Sequence, residues 1–130
     1  MSADISPTKA WINAKENKMI IIDVRTVNEW KETGIIPESM LINMHDSNFS
    51  EKKDFLKEIE EVIHSQPQKQ IAIICASGGR SSLTSNALIS KGYKNIYNVS
   101  GGILGKNTEN LPGWLSLSLP IEQCDDKCVD

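Results

Sequence analysis

Short apolar runs alternate along this chain with stretches in which apolar residues recur every three or four positions. Ile5 ends the first run. Met19-Ile20-Ile21-Ile22, Met40-Leu41-Ile42, Ile71-Ala72-Ile73-Ile74 and Asn95-Ile96-Tyr97-Asn98-Val99 are the others. Met19–Ile22 and Ile71–Ile74, brief, Ile-rich and continuous, predict buried strands, and the other runs predict short strands. Between them, Ala10, Trp11 and Ala14 share a helical face, as do Phe55, Leu56, Ile59, Val62 and Ile63, with charges in the gaps. Leu83, Ala87 and Leu88 predict a third apolar helical face, closed by Gly92. Start signals support these helices: Ser6-Pro7 reads as an N-cap followed by proline at the first helical position. Thr26 and Glu29 form a capping-box pattern, and Gly34 ends that helix. Strands alternating with helices predict an α/β fold, a parallel sheet covered on both faces.

Chemistry concentrates where the Ile71–Ile74 run meets the next helix, in Cys75-Ala76-Ser77-Gly78-Gly79-Arg80-Ser81-Ser82. The carboxyl edge of a parallel sheet is where such folds bind ligands. Gly78 and Gly79 let successive amides turn toward one centre, and the first turn of the helix adds unpaired N–H groups. Arg80 contributes a permanent cation. Together these features favour the thiolate, the nucleophilic form of Cys75. Taken singly, a cysteine at a strand end reads as a small core residue and Gly-Gly as a turn. Their coincidence with Arg80 and a helix start favours function.

At these residues the chain resembles the rhodanese-like sulfurtransferases, whose active-site loop runs Cys, two variable residues, Gly, a variable residue, Arg and Ser. Ile21-Ile22-Asp23-Val24-Arg25, Glu29-Trp30, Gly34-Ile35-Ile36-Pro37 and Gly92 to Ile103 resemble further family segments in the family's order. The likeness covers about residues 5 to 105, within a single domain read as 1–130 with an extension over 106–130. It departs at Ile35, where the family usually has His, at Glu38-Ser39 in place of Gly-Ala, and at Lys106 in place of an aromatic. The resemblance implies a three-layer α/β/α fold with a five-stranded parallel sheet in the order 1-5-4-2-3. It also implies a Cys75 persulfide as sulfur carrier. Ala76, Ser77, Gly78, Gly79 and Ser81 would cradle the outer sulfur, and Arg80 would attract an anionic donor. Asp23 and Arg25 are expected to fix the chain at the sheet's rim rather than to react. Expected partners are thiosulfate or polysulfide, a thiol acceptor or a protein persulfide, with no metal or organic cofactor.

Two rivals follow from the same loop. A cysteine phosphatase or arsenate reductase also pairs a thiolate with Arg and inward amides. However, the four residues between Cys75 and Arg80 are one fewer than in the cell-cycle phosphatases of this fold, and no Asp general acid stands out. A binding module that docks a protein partner is the other, although relatives of that kind typically lack the cysteine that is present here.

Composition narrows the rest. At 130 residues with 39% hydrophobic and 24% charged positions, the sequence suits an ordinary globular domain. A net charge of −3 argues against nucleic acid as partner. No apolar stretch reaches membrane-spanning length, and the start lacks the basic and apolar regions of a signal peptide. A cytoplasmic location is expected, or a periplasmic one after leader removal. Cys124 and Cys128 admit a local disulfide, half a metal site or a resolving pair for Cys75. The reading adopted is incidental thiols on a frayed end. His45, after the Met40–Ile42 run, is read as a solvated loop histidine rather than an acid/base. A short helix is expected from Ile103, and Trp114, Leu115, Leu117 and Leu119 are expected to clamp onto the body.

Overall fold

A computed structural model describes residues 3–126 and 128. Its elements are β1 (Ala3–Ile5), α1 (Pro7–Lys15), β2 (Met19–Asp23), α2 (Val27–Thr33), β3 (Met40–Leu41), α3 (Phe55–Ser65), β4 (Gln70–Ile74), α4 (Gly79–Ser90) and β5 (Ile96–Val99), followed by a 3-10 turn at Asn107–Glu109. The five strands form one sheet in the order β1-β5-β4-β2-β3, and every pairing is parallel. The predicted order and layer arrangement are those observed.

The period-two geometry of a strand explains the layers. Ile20 and Ile22 of β2, with Ile71 and Ile73 of β4, face a core completed by Phe55 and Ile59 of α3 and Leu88 of α4. Met19 and Ile21, with Ala72 and Ile74, face the other side, where Ala10 of α1, Ile103 and Trp114 close the second core. Trp11 meets Trp114 edge to face at 5.9 Å, the geometry that aromatic quadrupoles favour. Helix starts follow the sequence signals. Ser6 accepts from the Lys9 amide, and Thr26 and Glu29 complete the capping box in both directions.

Several expectations fail for identifiable reasons. Leu83 does not share the buried face of α4; it is 66% exposed, and Ser81, Thr84, Ser85 and Leu88 are buried instead. The Thr84 and Ser85 hydroxyls donate to the Arg80 and Ser81 carbonyls, which satisfies them inside the fold. Residues 101–104 form turns rather than the start of a helix. Trp114 is fully buried, with its indole N–H donating to Pro120 O, while Leu115 and Leu117 point outward. The tail is not frayed at its cysteines. Cys124 and Cys128 form a disulfide, and Cys128 is buried beside Val27, Trp30 and Ile35. Ile35 and Glu122 exchange both backbone hydrogen bonds at 2.8 Å, which fixes the tail against the end of α2.

Candidate active site

β4 delivers Cys75 to the carboxyl edge of the sheet, between β2 and β5. The chain then reverses through Ala76, Ser77 and Gly78, and α4 starts at Gly79, four residues before Leu83, the first of its predicted apolar positions. Gly78 makes this turn at φ +110, in the region that favours glycine. The turn aims amides at the sulfur: Gly78 N–H donates to Cys75 Sγ at 3.2 Å and Ser81 N–H at 3.4 Å. Ser81 Oγ lies 3.2 Å from the same sulfur. Cys75 is 1% exposed, beneath the loop. Ser77, Gly78 and Gly79 border an adjoining hollow of about 360 Å³, shared with Ser82, Leu83 and Asn98.

A second turn supports the loop from below. The Ile103 amide donates to Cys75 O at 2.9 Å and the Leu104 amide to Ala76 O at 2.8 Å. Gly102 has φ +62, and a Cβ there would lie 2.5 Å from Cys75 O. Glycine at this position is therefore a requirement of the thiol loop, where the sequence offered only a closing turn.

Arg80 lies less free than its sequence position implied. Its two terminal nitrogens donate to the two oxygens of Glu29 at 2.7 and 2.8 Å, a bidentate pair. Partial burial pushes the Glu29 carboxyl up, but hydrogen bonds from Arg80 and the Thr26 amide outweigh it and hold Glu29 at about 2 against an ordinary 4.5. Hydrogen bonding to Glu29 raises Arg80 in turn, against the opposing effect of burial, and Glu29, Cys75 and Asp23 add attraction. Glu29 thus caps α2 and neutralises the loop cation. The sequence displayed only the first role, since the second partner is 51 residues away.

At the rim, Arg25 forms a buried pair with Asp23, Nη2 to Oδ2 at 2.9 Å. Its remaining donors reach Thr33 Oγ1 and Gly34 O, tying the end of β2 to the end of α2. His45 sits in a loop against Phe49 and pairs its backbone with Glu51. Asn98 on β5 was not singled out by its sequence. It accepts from Ser81 Oγ and donates to Asp4, which places it one residue from the thiol.

A thiol held by converging amides at a strand–helix turn of a parallel sheet defines an α/β domain built around a cysteine loop. Comparison with known proteins agrees. The family model described as Rhodanese-like domain matches residues 6–107, and the chain belongs to that family. An uncharacterized RP600 homolog of Rickettsia rickettsii is 32% identical over 118 residues, covering 90% of this chain and 94% of the relative. The crystal structure of Rv0390 from M. tuberculosis superposes with a TM-score of 0.77 at 25% identity, covering 95% and 98% of the two chains. A polysulfide-sulfur transferase from Wolinella succinogenes shares the fold, with a TM-score of 0.62 at 24% identity over 96% of this chain and 81% of that one. Among the described residues, no helix is long and apolar enough to cross a membrane.

Proposed function

We propose that the protein is a sulfurtransferase that carries sulfane sulfur as a persulfide on Cys75. The observation that carries this reading is the convergence of the Gly78 and Ser81 amides on one sulfur. Two amide donors aimed at one atom suit an anionic sulfur.

The reaction runs as two displacements. The Cys75 thiolate, its proton lost to solvent, attacks the sulfane sulfur of thiosulfate, polysulfide or a protein persulfide. The donor's sulfur–sulfur bond breaks, its electron pair leaves with sulfite, a shortened polysulfide or the donor protein's thiolate, and a new bond joins the sulfane sulfur to Sγ. An acceptor such as cyanide or a thiolate then attacks the outer sulfur, and the electron pair of the breaking bond returns to Sγ. Donor and acceptor supply every atom and electron. Arg80 orients an anionic donor within the limits set by Glu29. Initial rates with thiosulfate and cyanide test the sequence of steps: parallel double-reciprocal lines are expected. Intersecting lines would mean that donor and acceptor bind together and that no carrier forms.

A further inference from the structure

Ser81 has one hydroxyl proton and three acceptors within reach: Asn98 Oδ1 at 2.5 Å, Gly78 O at 3.2 Å and Cys75 Sγ at 3.2 Å. Which of them receives it depends on Asn98, and the orientation of Asn98 is fixed by chemistry. On its far side the Asn98 side chain meets Asp4 Oδ1 at 3.1 Å. A carboxylate only accepts, so the Asn98 atom facing Asp4 must be the NH2 group. The carbonyl oxygen therefore faces Ser81, and an amide oxygen only accepts. The Ser81 proton is drawn into that shortest contact. Ser81 Oγ is left to meet the sulfur with a lone pair, so the contact is satisfied by S–H donating to Oγ.

We propose that Asn98, held by Asp4, is a positioning residue that turns the Ser81 hydroxyl away from Cys75 and so opposes ionisation of the resting thiol. Loss of the thiol proton to solvent converts Sγ into an acceptor only. Ser81 must then swing its proton to the sulfur, and Asn98 Oδ1, on a residue only 6% exposed, loses its donor. Giving up that short bond is costly, so the direction of one hydrogen bond weighs on the charge state of the sulfur. The two loop amides favour the thiolate, and the Asp4–Asn98–Ser81 chain counters them. Charged groups around the thiol loop on the packed elements are Arg80 of α4 paired with Glu29 of α2, Asp23 and Arg25 at the end of β2, Asp4 of β1, and the Lys106–Glu109 pair lining the adjoining hollow.

In turnover the proposal deepens the persulfide reading, since it makes Asn98 and Asp4 govern how readily the carrier thiolate forms. The test reads the thiol itself, so it stands apart from that reading. With the tail cysteines bonded to each other, Cys75 is the free thiol. Its ionisation is followed by ultraviolet absorbance of the thiolate against pH, with Cys75→Ser as the blank. Asn98→Ala is expected to lower the midpoint by about one pH unit, a tenfold larger thiolate fraction below it. Asp4→Ala, at an exposed position, frees the Asn98 amide to rotate and should move the midpoint the same way. That shift should persist in 1 M salt, where the through-space effect of a lost carboxylate is screened over about 3 Å. In a Ser81→Ala background, Asn98→Ala should add nothing, because its action passes through the hydroxyl. An unchanged midpoint in Asn98→Ala and Asp4→Ala would overturn the proposal, as would an Asn98→Ala shift undiminished without the Ser81 hydroxyl.

Discussion

Glu29→Gln isolates the ion pair beside the thiol loop. Glutamine keeps an oxygen for the Thr26 amide, so the α2 cap survives and only the charge opposite Arg80 is lost. The magnitude follows from linkage. A carboxyl at about 2 in the fold and 4.5 otherwise represents roughly 3 kcal/mol at full effect. Solvent reaches 22% of the Arg80 side chain and 23% of the Glu29 side chain, so screening removes part of that. About 1.5–2 kcal/mol is expected at neutral pH. For a chain of this length that lowers the melting temperature by about 5–10 °C. The sign with pH is fixed because the folded value lies below the unfolded one. The stabilisation is present above about 4.5 and is lost as pH falls toward about 2. Thermal unfolding of wild type and Glu29→Gln between neutral pH and pH about 2 measures this. The two curves should be separated at neutral pH and converge in acid. Coincident melting at neutral pH, or a gap that survives undiminished at the acid end, would refute the pairing argument.

Three further outcomes are expected. Arg80→Ala should raise the KM for thiosulfate more than that for a neutral organic trisulfide; equal losses would mean that Arg80 only shapes the loop. Gly102→Ala forces a Cβ within 2.5 Å of Cys75 O and 2.7 Å of Ala76 O, so it should cost about 2–4 kcal/mol in urea unfolding and depress transfer. Wild-type stability in that variant would contradict the close approach. Replacing Cys124 and Cys128 with Ser should cost about 2 kcal/mol or less of stability for so short a loop, seen as a lower melting temperature, while transfer continues. Loss of transfer would make the tail pair part of the chemistry.

The centre of the sheet was legible because β2 and β4 carry unbroken Ile-rich runs, the pattern demanded of strands buried on both faces. Thr26-Glu29 and Ser6-Pro7 were legible because capping depends on neighbours three residues apart. What escaped was set by partners distant in sequence or by hydroxyls. Glu29 meets Arg80, and Asn98 meets Ser81, only after β4 and β5 pair and α2 docks. Leu83 misled because hydrophobicity assigns no inward preference to serine and threonine. In α4 those small side chains bond the preceding turn and let the helix lie close to the sheet. Cys124 and Cys128 misled because nothing around them in the acidic tail signals the strand-like exchange between Glu122 and Ile35.

A persulfide on Cys75 adds one sulfur atom to the chain, and intact mass detects it. Reduced protein is incubated with thiosulfate or polysulfide, desalted, weighed, and weighed again after cyanide. A gain of roughly 32 mass units, one sulfur, is expected, which cyanide removes and Cys75→Ser never acquires. No gain from either donor, or an equal gain in Cys75→Ser, would contradict a persulfide carried on Cys75.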